Sequence, residues 1–111
     1  MKALIIKERW LNLILDGKKT WEIRGSNTKH RGTIALACSG TGQIWGQADI
    51  LDSFPINRES LANTVASHQV EDLSLITYAN PHAWSLIKVV RYETPKPYKH
   101  PQGAVIWVLE V

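Results

Sequence analysis

Cysteine and long apolar runs are the features that this sequence has least of. The chain of 111 residues contains one cysteine, Cys38, which excludes an internal disulfide and a zinc site with several cysteine ligands. No apolar run approaches the ~20 residues that a helix needs to cross a bilayer. The opening stretch from Met1 to Lys7 has too short an apolar core for a signal peptide, and no small-residue cleavage site follows it. We therefore expect a cytoplasmic protein that does not associate with membranes.

Repeats, low-complexity tracts and polybasic tails are absent as well. The length suits a single domain spanning residues 1–111, and a hydrophobic content of 44% is ordinary for a globular protein. The formal net charge is +3 and the sequence pI is near 9.2, which permits an anionic partner without requiring one. Because there is no basic tail, any basic site has to be assembled by the fold. We expect the domain to be a monomer.

Hydrophobic periodicity predicts strands separated by turns, with two short helices inserted between them. Trp10, Leu13, Ile14 and Gly17 follow the i, i+3, i+4, i+7 spacing of a helix, and Gly17 suits its C-terminal end. Asn57 suits the N-cap of a second helix over residues 58–66. The predicted strands cover residues 2–6, 20–24, 33–39, 43–51, 83–92 and 104–109. This order favours an α+β fold in which a mixed sheet of five or six strands closes into a barrel, with two or more short helices.

Two stretches near the end of the chain carry separate expectations. The run 104–109 is apolar on both faces, which predicts a central strand. Pro95, Pro97 and Pro101 predict a stiff loop between this strand and the preceding one.

The densest polar cluster lies between Gly17 and Arg24. From Thr20 to Arg24 polar and apolar residues alternate, so Glu22 and Arg24 share one strand face and the apolar residues face the core. Lys19 is out of phase with this face, which requires the strand to begin after Lys19 or to contain a bulge. A glutamate beside a lysine and an arginine stays ionised and orients both cations. Such a trio can clamp a phosphate, transfer a proton or form a solvated ion pair, and the spacing alone favours the last.

The same stretch resembles the signature G-x-K-x-x-E-x-R of the ASCH (activating signal cointegrator homology) domain family. The matching residues are Gly17, Lys19, Glu22 and Arg24. The resemblance extends to the opening helix, the strand after Arg31-Gly32, the segment His82-Ala83-Trp84 and the closing apolar strand, so it covers nearly the whole chain. It implies a PUA-like β-barrel in which the motif lines a cleft, similar to RNA-binding PUA domains.

The resemblance implies two classes of function for this cleft. The first is the binding of nucleic acid, with a preference for RNA or single strands. In this function Lys19 and Arg24 would hold phosphate. The second is an enzyme, either a metal-independent ribonuclease or an amidohydrolase that acts on a modified nucleoside, acetylated cytidine. In the amidohydrolase branch a threonine follows the lysine by three residues, whereas here Glu22 stands at that position and Thr20 at a different offset. Lys19, Glu22 and Thr20 are the catalytic candidates if the domain is an enzyme.

Other residues extend the candidate nucleic-acid site beyond the motif. Lys29 and Arg31 lie in a basic loop that either contacts phosphates or is an ordinary turn. Tyr98 lies in the proline-rich stretch, and Trp84 is expected at the cleft mouth, where its ring could stack a base for roughly 1–3 kcal/mol. No histidine or carboxylate spacing matches a metal site, so we expect neither metal nor cofactor. A cleft that binds a peptide or a small metabolite is the remaining alternative.

Overall fold

Six strands and three short α-helices make up the computed structural model, which describes all 111 residues. The strands are β1 (Ala3–Ile6), β2 (Trp21–Arg24), β3 (Gly32–Cys38), β4 (Gln43–Pro55), β5 (His82–Pro97) and β6 (Trp107–Val108). The helices are α1 (Glu8–Leu15), α2 (Arg58–Asn63) and α3 (Val65–His68), and one 3₁₀ turn covers Leu73–Leu75. None of these helices has the length and apolar character needed to cross a membrane.

The strands form one mixed sheet in the order β2-β5-β4-β3-β1-β6. Strand β1 runs parallel to β3, with Ala3 opposite Ala35, and every other neighbouring pair is antiparallel. The sheet curls into a half-barrel whose two edges are β2 and β6. The expected α+β fold with a curled mixed sheet of six strands and short helices is thereby confirmed.

Helix α1 packs on the sheet and then delivers the chain to β2. Its residues Ile14 and Leu15 are buried in the largest apolar cluster, together with side chains of β1, β3, β4 and β5. Gly17 ends the helix as predicted, with φ of 78°, and the N–H groups of Gly17 and Lys18 donate to the carbonyls of Ile14 and Leu13, each at 3.0 Å. This Schellman arrangement satisfies the last carbonyls of the helix and determines where β2 begins.

The second predicted helix is divided into α2 and α3. Asn57 caps α2 as predicted, because its side chain accepts a hydrogen bond from the Ser60 N–H at 2.8 Å. The helix nevertheless stops at Asn63, since Thr64 leaves the helical region at φ of −128°. Helix α3 ends at His68, because the next residue, Gln69, adopts the left-handed conformation at φ of 62°.

Two expectations for the end of the chain were wrong. Pro95 and Pro97 lie within β5 and not in a loop, and of the three prolines only Pro101 lies between β5 and β6. Pro95 and Pro97 are tolerated in the strand because β2 pairs with β5 only as far as Ser85. Beyond Ser85, β5 pairs with β4 on one side and its other side is an unpaired edge. The apolar run 104–109 is not a central strand: β6 is a two-residue edge strand that pairs with β1, and Val105 is 75% exposed.

Candidate functional site

A cleft of about 240 Å³ is bounded by β2, by the end of β1 and by the chain around the 3₁₀ turn. The polar residues that line it are Lys7, Lys19, Glu22, Arg24, Ser39 and Tyr78. The apolar walls are formed by Ile5, Trp10, Ile23, Val70, Leu75, Ile76 and Val105. The three charged residues of the motif therefore converge on one recess.

Lys19 lies at the bottom of this cleft with its side chain 1% exposed. It precedes β2, so the strand begins after Lys19, which is the first of the two arrangements that the alternation allowed. Its ammonium donates to the backbone oxygen of His68 at 2.5 Å and lies 3.5 Å from Oε1 of Glu22. The ring of Trp10 adds a cation–π contact at 5.2 Å from its centre. These partners offset part of the loss of water around the charge.

Glu22 contacts both cations of the motif. Its Oε1 faces Lys19, and its Oε2 accepts hydrogen bonds from Nε and Nη2 of Arg24 at 3.1 and 2.9 Å. Arg24 Nη2 also donates to the Ile5 carbonyl at the end of β1, at 2.8 Å. Because Glu22 and Arg24 are two residues apart on β2, they project on the same face. The carboxylate thus fixes the positions of the lysine and the arginine relative to one another.

Burial changes the pKa values of Lys19 and of His68, whose backbone oxygen accepts from Lys19. Desolvation lowers the pKa of Lys19, and the attraction of Glu22 opposes this shift only in part. Desolvation also lowers the pKa of His68, with the nearby Lys19 charge acting in the same direction. The His68 Nε2 lies 2.7 Å from the Leu61 carbonyl and Nδ1 accepts from the Val70 N–H at 3.0 Å. Since a carbonyl accepts and an amide donates, these partners select the neutral imidazole protonated at Nε2.

Trp84 is buried beneath the site and does not lie at the cleft mouth, so the expectation that its ring could stack a base was wrong. It is 1% exposed and belongs to the largest apolar cluster, although its pairing opposite Glu22 places both side chains on the same face of the sheet. Its ring stacks on that of Trp107 at a centroid distance of 5.7 Å, and its Nε1 donates to the Ser26 carbonyl at 2.9 Å. The Arg24 guanidinium lies 6.0 Å from the ring centre, so Trp84 supports the arginine from below.

The ASCH domain family model matches residues 4–100 of the chain. The chain belongs to the ASCH domain family. No curated protein sequence matches it. Among solved structures it is similar to the ASCH protein of Zymomonas mobilis, with a TM-score of 0.76 and 14% identity over 99% of this chain and 87% of that one. A tyrosine-to-phenylalanine variant of that protein gives a TM-score of 0.76 at 14% identity, again over 99% of this chain and over 89% of the other. At these identities the likeness establishes the fold alone.

The basic loop of this ASCH domain lies outside the cleft. Lys29 and Arg31 are exposed, and neither lines the recess. Arg31 donates from Nη1 to the carbonyls of Thr28 and His30 at 2.8 and 2.9 Å, and its Nη2 lies 3.6 Å from Asp52. The guanidinium therefore holds the loop backbone in place, while Lys29 extends from it.

Thr20 and Tyr98 are also separate from the cleft in this ASCH domain. Thr20 is exposed, and its backbone bridges Ser67 and Leu86 through hydrogen bonds of 2.9 and 2.8 Å. Tyr98 packs on a different apolar cluster, and its hydroxyl hydrogen-bonds to Nδ1 of His100 at 2.8 Å. Neither residue is brought to the Lys19 ammonium.

Three residues of the ASCH cleft were not identified from the sequence. Lys7 follows β1 directly and reaches the cleft because β1 ends beside Arg24. Tyr78 lies in a stretch without periodicity, and at the cleft its ring packs against Gly25. His68 supplies a backbone oxygen, which no side-chain pattern could have indicated.

Proposed function

We propose that this ASCH domain binds nucleic acid, with RNA preferred to DNA and single strands preferred to duplexes, by holding phosphate in the cleft. The observation that carries the proposal is the charge of the lining, in which three cations, Lys7, Lys19 and Arg24, face one carboxylate, Glu22. A recess with an excess of positive charge concentrates anions, because its low-dielectric walls focus the field. Membership of the ASCH family, which is commonly nucleic-acid binding, supports the same conclusion.

The hydrogen bonds inside the site leave donors for a phosphate. Arg24 uses Nε and Nη2 for Glu22 and Ile5, so its Nη1 group has no partner within the protein. The Lys19 ammonium has three N–H groups and contacts two oxygens, one of His68 and one of Glu22. Charge-assisted hydrogen bonds from donors that are already held in place are the strong ones. Glu22 therefore supports phosphate binding, since it orients the cations and does not neutralise both.

The size of the cleft supports the preference for single strands. Its volume of about 240 Å³ lies below the roughly 300–1,000 Å³ of sites for drug-sized ligands. A recess this small admits part of one nucleotide and excludes a duplex. Sequence-specific recognition of RNA usually targets such unpaired nucleotides, whose bases and backbone can be separated from a helix.

The test is a binding titration across a salt series with end-labelled single-stranded RNA, single-stranded DNA and duplex DNA on native gels. We expect RNA to bind most tightly, and the logarithm of its affinity to fall with the logarithm of salt by about 0.7 for each phosphate held. Replacing the whole ion network, as Lys19→Met with Glu22→Gln and Arg24→Met, should weaken binding at least about 10-fold. Because this variant leaves no buried charge unpaired, it should remain folded.

Lys96→Ala is the matched control, since Lys96 is an exposed lysine that does not line the cleft. It should reduce RNA affinity far less than the triple replacement. Unchanged affinity in the triple variant, with a native circular dichroism spectrum, would remove the cleft as the binding site.

A metal-independent ribonuclease in the same cleft is the second candidate function. It is favoured by the lowered pKa of Lys19, since a buried lysine with reduced proton affinity can take part in proton transfer. Lys19 would stabilise the charge of a phosphorane-like transition state, and Glu22 or Tyr78 would move a proton. Running the same RNA samples on denaturing gels tests for ribonuclease activity. Shortened RNA with the wild-type protein, but not with Lys19→Met, would support cleavage in the cleft. Intact RNA at high protein concentration would exclude cleavage.

The amidohydrolase alternative has weaker support from the geometry. Thr20, its candidate nucleophile, is exposed and does not line the cleft that contains Lys19. We expect acetylated cytidine to remain intact after incubation with the protein. Release of acetate that is lost in Thr20→Val would contradict this expectation.

A further inference from the structure

Tyr78 forms a wall between the cleft and a second depression. The depression has a volume of about 490 Å³ and is lined by Asn57, Arg58 and Asn80 together with two prolines. Tyr78 lines both recesses and remains 42% exposed. It is therefore an accessible aromatic side chain at the cleft, the position that had been expected for Trp84.

The close approach of Gly25 holds the Tyr78 ring in this position. A Cβ atom at Gly25 would lie 2.6 Å from Cδ1 of Tyr78 and 3.2 Å from two further ring carbons. No real side chain makes contacts that short, so only glycine allows the ring to pack directly against the chain that leaves β2. The ring is thus supported on one side by backbone, which reduces the conformational freedom that a ligand would have to remove.

Arg58 stabilises the segment that leads to Tyr78. Its guanidinium donates from Nη1 to the Leu73 carbonyl at 2.9 Å and from Nη2 to the Ile76 carbonyl. These bonds connect the start of α2 to the residues just before Tyr78. Arg58 therefore fixes part of the lining of the second depression. The side-chain N–H₂ group of Asn57, whose oxygen caps α2, and the amide of Asn80 supply further polar groups there.

We propose that the two recesses bind two successive nucleotides of one RNA strand, with Tyr78 stacking a base between them. The inference rests on the proposed function of the cleft, where the cations hold the first nucleotide. The strand then passes the exposed Tyr78 ring, and the second nucleotide enters the depression beside Asn57 and Asn80. An aromatic ring stacks any base, and side-chain amides can bind base edges. In this arrangement the cleft attracts the phosphate electrostatically, while Tyr78 and the second depression contact the bases.

The experiment measures the affinities of 5′-phosphorylated oligouridylates of one, two and three nucleotides by competition against a labelled longer strand. We expect the wild-type domain to bind the dinucleotide at least about 5-fold more tightly than the mononucleotide, and to gain less from a third nucleotide. Tyr78→Ala should weaken dinucleotide binding about 5- to 150-fold, and more than it weakens mononucleotide binding. Tyr78→Phe keeps the ring and should retain most of the dinucleotide advantage. Gly25→Ala should resemble Tyr78→Ala, because the added methyl group displaces the ring.

The possible failures are distinguishable from one another. If the wild-type domain binds oligouridylates but Tyr78→Ala matches it at every length, the stacking inference is overturned and the cleft proposal stands. Equal wild-type affinities for one and two nucleotides likewise overturn the two-nucleotide site. If oligouridylates of one to three nucleotides fail to compete while the labelled strand binds, the two-nucleotide site is overturned and the cleft proposal stands, and if the labelled strand does not bind either, both proposals fail together. Urea denaturation of each variant confirms that the compared proteins are folded.

Discussion

Lys19 is a charged residue in a place where charges are rarely found. Lysine is almost never fully buried unless it is paired, and here the pairing comes from Glu22 and the His68 carbonyl. The two oxygens act against desolvation, yet desolvation is the larger effect, so the pKa of Lys19 lies below its usual range. The native state therefore holds the Lys19 proton less tightly than the unfolded chain does.

This difference predicts how stability depends on alkaline pH. Below the folded-state pKa of Lys19 both states carry the proton, and the native state bears the full cost of the buried charge. Between that pKa and the ordinary lysine pKa of 10.5 the unfolded state binds more protons, so the Lys19 contribution to the free energy of unfolding rises with pH. Urea denaturation of the wild type and of Lys19→Met should show a difference in stability that increases toward about pH 10.5 in favour of the wild type.

The wild type has to be compared with Lys19→Met because two other groups, Cys38 and Tyr98, change the free energy of unfolding in the opposite direction as the pH rises. Burial raises the pKa of Cys38 and of Tyr98, so each of these acids removes stability as the pH rises. Both proteins contain them, and the difference cancels their effect. A difference that is flat or decreases with pH would contradict the assignment of a lowered pKa to Lys19.

At the scale of elements, one glycine governs how α1 meets the sheet. The pairing of β4 with β5 shifts register beside Gly46, and Leu15 of α1 lies directly over this residue. A Cβ atom at Gly46 would overlap the Val90 carbonyl oxygen and come within 2.7 Å of Leu15 Cδ2. The glycine is needed here for close approach and not for an unusual backbone conformation.

Gly46→Ala should therefore destabilise the domain by about 3 kcal/mol, as overpacking of a tight contact does. Gly17→Ala is the matched comparison, because nothing lies within 4 Å of its Cβ position and only the positive φ of 78° is strained. It should cost about 1 kcal/mol. Urea denaturation of both variants measures the two costs, and equal values would show that the packing of α1 on the sheet tolerates the extra methyl group.

For the molecule as a whole, the end of the chain completes the sheet beneath the site. Strand β1 lies between β3 and β6, so residues near both termini are neighbours. The match to the ASCH family model ends at residue 100, whereas Trp107, which stacks on Trp84, lies beyond it. The support below Arg24 therefore depends on a segment outside the matched region.

Trp107→Ala should lower the free energy of unfolding by about 2–3 kcal/mol, because it removes a partly buried ring and leaves Trp84 without its stacking partner. The near-ultraviolet circular dichroism of the stacked pair should weaken at the same time. Val105→Ala, in the same segment but 75% exposed, should change stability by less than about 0.5 kcal/mol. Equal effects of the two replacements would mean that β6 does not support the core.

Local patterns were sufficient for most of the elements and for the charged motif, but not for the division of the second helix or for the two strands nearest the end of the chain. Spacing alone indicated that α1 ends at Gly17, that Asn57 caps α2 and that Glu22 and Arg24 share a strand face, because each depends on neighbours a few residues away. The family resemblance added that Lys19 belongs with this pair.

Long-range pairing decided which of these surfaces remained accessible. Trp84 is buried because the ring of Trp107, from β6, covers it, and Tyr78 is the exposed ring at the cleft because Gly25 leaves room for it. The nearest partner of the Lys19 ammonium is the backbone oxygen of His68, 49 residues away, which carries no signal in the sequence. Periodicity determines the two faces of a strand or helix, but only the packing of distant segments determines which face is covered and which lines a cleft.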